Sequence, residues 1–104
     1  MSEWHKVAAR SAVPDGGALR VTVGNQAIAL YNLEGRIYAT DDVCTHAFAS
    51  LSDGYVDGEN IECPLHQAQF HIPTGKVITG PATEDVKTFD VKVEGDDVYV
   101  HVVS

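Results

Sequence analysis

Two cysteines and two histidines near the middle of the chain constrain its fold more than any other feature. They read Cys44-Thr45-His46, then sixteen residues, then Cys63-Pro64-Leu65-His66, and no other cysteine occurs in the 104 residues. Each cysteine is followed within three residues by a histidine, so two matched half-sites each offer one thiolate and one imidazole. Two soft thiolates with two borderline imidazoles suit zinc or an iron–sulfur cluster. On the residues alone, three chemistries stand open. One is a tetrahedral zinc site; the mixed half-sites argue against it, because zinc fingers usually pair cysteine with cysteine and histidine with histidine. A second is a Cys44–Cys63 disulfide with incidental histidines; the repeated offset argues against that. The third is a two-iron cluster whose thiolates hold one iron and whose imidazoles hold the other. Whatever is bound, the fold must bring the two half-sites together.

The texture around these half-sites is all-β. Apolar residues alternate in short runs separated by glycine- and aspartate-containing turns. Strands are predicted over Trp4–Ala9, Ala18–Val23, Ala27–Leu33 and Arg36–Thr40. Ile28 and Leu30 fall on one face of the third strand, and Ala29 and Tyr31 on the other. Shorter strands are predicted at Gly54-Tyr55-Val56, Ile61-Glu62, Gln69–Ile72 and Lys76–Ile78. Lys87–Glu94 and Asp97–Val103 read as a terminal hairpin joined by Gly95-Asp96. No stretch of ten residues carries a helical apolar stripe. About ten short strands in a chain of this length imply a small antiparallel barrel or sandwich.

Length allows one domain. Fifteen acids against seven bases leave a net charge of −8. That balance disfavours nucleic acid and anionic membrane surfaces and fits a partner with a basic face. No apolar run approaches the roughly eighteen residues of a transmembrane helix. The N-terminus, Met1-Ser2-Glu3-Trp4-His5-Lys6, lacks a basic segment followed by an apolar one and carries no twin arginine. With two thiols, these features point to the cytoplasm.

The pattern C-x-H, sixteen residues, C-P-x-H resembles the Rieske signature. The resemblance spans nearly the whole chain, but the ligand motifs carry its specificity. It implies one [2Fe-2S] cluster, with Cys44 and Cys63 on the inner iron and His46 and His66 on the outer one. It also implies a Rieske fold, in which residues 41–83 form a cluster-binding subdomain inserted into a basal β domain of residues 1–40 and 84–104. Gly80-Pro81-Ala82 resembles the loop that covers such clusters. Within the family the chain is most similar to ferredoxins of bacterial aromatic-ring dioxygenase systems, naphthalene dioxygenase ferredoxins among them. The likeness runs through residues 39–46, Ser52-Asp53-Gly54-Tyr55 and Ile61–His66. It implies an electron carrier, not an enzyme, placed between an NADH-dependent flavin reductase and a terminal oxygenase. Electron transfer at the outer iron would centre docking on the two histidines, with Ala47, Phe48, Gln67 and Pro81 around them. A small Rieske-like subunit of a nitrite reductase is the alternative; such subunits usually lack the ligands, and all four stand here.

Departures from the high-potential Rieske proteins of the cytochrome bc complexes carry a further expectation. Ala49 and Leu65 occupy the places of their loop disulfide, so that disulfide cannot form. Ala68 and Phe70 occupy the places of a serine and a tyrosine whose hydroxyls donate to cluster and ligand sulfur. Such bonds favour the reduced, more negative state. If each is worth about 1.5 kcal/mol, each missing one lowers a one-electron potential by roughly 60 mV. The chain is therefore expected near the low end of the Rieske range, which runs from about −150 to +300 mV.

Overall fold

The computed structural model describes residues 2–44, 49–64, 67–80 and 84–103. Eleven strands lie among them: β1 (Ser2–Ala9), β2 (Ala18–Val23), β3 (Gln26–Leu33), β4 (Arg36–Asp41), β5 (Tyr55–Asp57), β6 (Asn60–Glu62), β7 (Gln69–His71), β8 (Val77–Thr79), β9 (Thr88–Phe89), β10 (Val91–Glu94) and β11 (Asp97–Val103). Two 3-10 turns, Arg10–Ala12 and Leu51–Asp53, complete the elements, and the described residues contain no α-helix. The strands form three antiparallel sheets, ordered β1-β11-β10, β2-β3-β4-β9 and β5-β6-β7-β8. The expected all-β architecture is what the chain adopts.

β3 explains how the sheets combine. Its run from Ile28 to Tyr31 is buried on both faces. Alternation sends Ile28 and Leu30 into one core, with Ile37, Ala39, Phe89, Val98 and Val100. Ala29 and Tyr31 point the other way, into a second core with Cys44, Cys63, Leu51, Ile61, Phe70 and Ile72. A strand with one solvated face would need polar residues at every second position. β3 has none there, because each of its faces carries part of a separate apolar core.

The predicted strand at Lys87–Glu94 requires correction. It is two strands in two sheets: Phe89 pairs with Ala39 of β4, whereas Val91 pairs with Val100 of β11. Asp90 lies at the switch, and its carbonyl accepts the His101 amide at 3.0 Å. Alternation continues smoothly through the change of partner, so periodicity does not reveal it.

Candidate metal centre

The two cysteines stand at the entrances of two loops built alike. Val43 and Ser50 form an antiparallel bridge, and beyond it the Cys44 amide donates to the Ala49 carbonyl at 2.9 Å. Glu62 pairs with Gln69, and beyond that pair the Cys63 amide donates to the Ala68 carbonyl at 2.7 Å. Each cysteine amide thus closes a loop on the residue five positions ahead. The matched half-sites of the sequence are matched in backbone geometry too.

Local polar groups hold the first loop at its root. Asp42 is buried, and its carboxylate accepts the Ser52 amide at 2.9 Å. Its carbonyl accepts the Leu51 amide at 2.6 Å, and the Asp41 carboxylate accepts the Val43 amide at 3.2 Å. A buried carboxylate is tolerable only when such donors surround it. Gly54 then sets one loop against the other. A Cβ on Gly54 would collide with the carbonyl oxygen of Glu62, the residue before Cys63. Only glycine lets the chain leaving the first loop lie this close to the chain entering the second. Sequence reasoning placed Gly54 in a strand and missed its role.

The stems of a third loop are also tied down. The Val77 amide donates to the Asp85 carboxylate at 3.0 Å, and the Val86 amide to the Gly75 carbonyl at 2.8 Å.

Cys44 and Cys63 are both buried as thiols in one apolar cluster. The fold has thus brought together two residues nineteen positions apart in the sequence. Gln67, next to His66, is exposed and has a φ of 60°, a left-handed conformation that is uncommon for a residue with a side chain. The expected ligands His46 and His66, and the docking residues Ala47, Phe48 and Pro81, lie outside the described residues. Ala68 and Phe70 are fully buried in the cluster that contains both cysteines.

Tyr31 carries a buried polar contact at the edge of this core. Thr40 Oγ1 donates to the Asp41 carbonyl at 3.0 Å, so the Tyr31 hydroxyl donates to Thr40 Oγ1 at 2.8 Å. Burial pushes the Tyr31 phenol well above its ordinary pKa, the Thr40 bond opposes that shift, and Asp42 and Asp41 add to it.

Comparison with known proteins gives this architecture its family. The Rieske [2Fe-2S] domain profile matches residues 3–90, and the chain belongs to that family. It is 46% identical over 98 residues to the ferredoxin component of the naphthalene 1,2-dioxygenase system of Pseudomonas aeruginosa, covering 94% of each chain. The ferredoxin chain in the complex of reduced oxygenase and oxidised ferredoxin of carbazole 1,9a-dioxygenase superposes with a TM-score of 0.87. That match has 43% identity and covers 93% of this chain and 91% of the other. A ferredoxin of Sphingomonas yanoikuyae B1 superposes at 0.89 with 36% identity, covering 94% and 97%. A putative nitrite reductase small subunit from Mycobacterium tuberculosis shares the fold at 0.87, but at 20% identity that likeness concerns fold alone.

The cofactor of this chain is a Rieske-type [2Fe-2S] cluster. The donor set fits it: two buried thiols at matched loop entrances, with an imidazole two or three residues beyond each. Family membership displaces the zinc and disulfide readings.

Proposed function

We propose that the chain carries single electrons from an NADH-dependent flavin reductase to the terminal oxygenase of an aromatic-ring dioxygenase system in the cytoplasm. In this reading Cys44, His46, Cys63 and His66 hold the cluster, and residues 41–83 form its subdomain. The observation that carries the proposal is the pair of alike cysteine loops, set against each other at Gly54. Bound there, the cluster supplies reversible one-electron storage. The chain's own part is to exclude water from the thiolates, through Leu51, Ile61, Ala68 and Phe70, and to hold the two loops in register. A cleft of about 720 Å³ lined by Asp15, Glu34, Arg36, Tyr38 and Glu59 includes neither cysteine. An electron carrier has no need of a substrate pocket at its redox site. Relatives named as ferredoxin components support the carrier role, and the carbazole complex supports an oxygenase as partner. No helix among the described residues is long and apolar enough to cross a membrane.

The test begins with the purified protein. Iron and acid-labile sulfide are each expected near two per chain, with a Rieske-type electron paramagnetic resonance signal on reduction. His46→Ala and His66→Ala are each expected to abolish or convert the cluster, since the chain has no further cysteine to replace a lost ligand. Product formation by a naphthalene dioxygenase reductase and oxygenase is expected to depend on added protein. Stoichiometric zinc without sulfide, or an intact cluster that neither partner reduces or oxidises, overturns the proposal.

A further inference from the structure

Five large apolar residues stand more than a third exposed among the described residues, and they are unevenly placed. Trp4 and Val93 lie on the terminal sheet. The other three stand at the feet of the loops. Val43 precedes Cys44 directly. Tyr55, 68% exposed, pairs with Glu62, which precedes Cys63. Ile78, 50% exposed, is the bulged residue of β8: Gln69 faces Thr79 and Phe70 faces Val77, so Ile78 has no partner across the ladder.

Strand register places two of these three, Tyr55 and Ile78, on one sheet. Tyr55, Glu62, Gln69 and Thr79 form a single row across β5-β6-β7-β8. It is the row nearest the cysteine loops, because β6 runs directly into Cys63 and Ala68 leads directly into β7. The neighbouring row, Val56, Ile61, Phe70 and Val77, packs on the core, so alternation turns the Tyr55 row outward. Three inter-strand spacings make it about 14 Å wide. At its centre the Gln69 amide donates to Glu62 Oε1 at 3.1 Å, leaving Glu62 as the one charged side chain of the row. Tyrosine and isoleucine therefore flank a fixed carboxylate beside the second ligand loop. Tyrosine is enriched among the residues that carry binding energy once an interface desolvates them.

We propose that this row is a docking flank continuous with the electron-transfer contact, and that its occupant is the terminal oxygenase. The matching oxygenase surface would present apolar hollows to Tyr55 and Ile78 and a basic side chain to Glu62. Two arguments favour this occupant. The row adjoins the loop that begins at Cys63 and carries one acidic side chain, which complements a basic partner, and a ferredoxin 43% identical to this chain forms a complex with its oxygenase. The inference rests on the carrier role proposed above.

The test titrates the oxidised, cluster-loaded protein against naphthalene 1,2-dioxygenase terminal oxygenase by calorimetry and measures KM for the carrier in oxygenase turnover. The double variant Tyr55→Thr/Ile78→Thr removes the large apolar groups while placing threonine, which suits strands, at both positions. Its Kd and KM are expected to rise about tenfold. Its paramagnetic resonance signal, its potential and its rate of reduction by the reductase are expected to stay within about twofold of wild type. Tyr55→Phe and Ile78→Val are expected to bind like wild type. An unchanged Kd in the double variant overturns the proposal, as does an equal loss at the reductase step, which would assign the flank to both partners. If the double variant cannot hold its cluster, Ile78→Thr alone provides the same comparison at an exposed, unladdered position. A wild-type protein that neither binds the oxygenase nor supports turnover would instead defeat the carrier role itself.

Discussion

On the resemblance to high-potential Rieske proteins, single hydroxyls are expected to set this core apart from theirs. Ala68 and Phe70 are fully buried in the same apolar core as the cysteines, so a cluster held there would meet methyl and phenyl groups at these positions. Ala68→Ser and Phe70→Tyr each introduce a donor into that apolar space. A buried hydroxyl without an acceptor costs about 1–3 kcal/mol, so the new donors have reason to find thiolate or sulfide sulfur. Each variant is expected to raise the potential by tens of millivolts, on the order of 1 kcal/mol. Voltammetry showing no rise, with iron content intact, would contradict the hydrogen-bond account. Tyr31 offers a second test. Its pKa is raised in the folded state, so above the ordinary tyrosine value the unfolded chain loses a proton that the folded chain keeps. The associated stability is present in full below about pH 10 and declines as pH rises, by up to about 1.4 kcal/mol per pH unit. Tyr31→Phe is expected to lose about 1 kcal/mol at neutral pH with its hydrogen bond. It is also expected to flatten the alkaline decline, which denaturant titrations between pH 9 and 11 would measure. A variant that declines as steeply as wild type would rule out Tyr31 as the source.

At the scale of elements, the loops depend on a close approach that no side chain permits. Gly54→Ala places a methyl against the Glu62 carbonyl. Overpacking of this kind costs about 1–3 kcal/mol, and here it also separates the two half-sites. A lower urea midpoint and less iron per chain are expected together. Gly58→Ala is the contrast. Its φ of 60° makes the substitution strained, yet the added Cβ meets nothing within 4 Å. It is expected to cost stability of about 1 kcal/mol while leaving iron content unchanged. Equal iron loss in both variants would show that Gly54 has no special part in aligning the loops. Much of this was legible beforehand. β2 has the predicted ends, Ala18 and Val23, because Gly-Gly and Gly-Asn turns bound an alternating run. That Cys44 and Cys63 would come together was legible, because the matched C-x-H and C-P-x-H half-sites imply one shared site. The division of residues 87–94 between two sheets was not, since a strand carries no mark of which partner it pairs with. The buried Asp42 and the tight contact at Gly54 were equally hidden, because both depend on neighbours distant in sequence.

For the whole molecule, a charge of −8 is spread over a body of about 37 × 30 × 19 Å. Charges of one sign attract basic partners at distances where short-range contacts have no reach. Turnover at subsaturating carrier is therefore expected to fall as salt rises, since screening shortens the field to about 8 Å at physiological ionic strength. Turnover indifferent to salt would leave the acidic surface a role in solubility alone. The two apolar cores share β3, with Ile28 and Leu30 in one and Ala29 and Tyr31 in the other. Neither core can come apart without stripping one side of that strand and exposing the other to loss of its support. The amides of residues 28–31 are therefore expected to exchange with deuterium last, and only by opening of the entire protein. Release of iron would then weaken the distant β1-β11-β10 sheet as well as the loops around the cysteines, making metal loss an event that degrades the carrier as a unit.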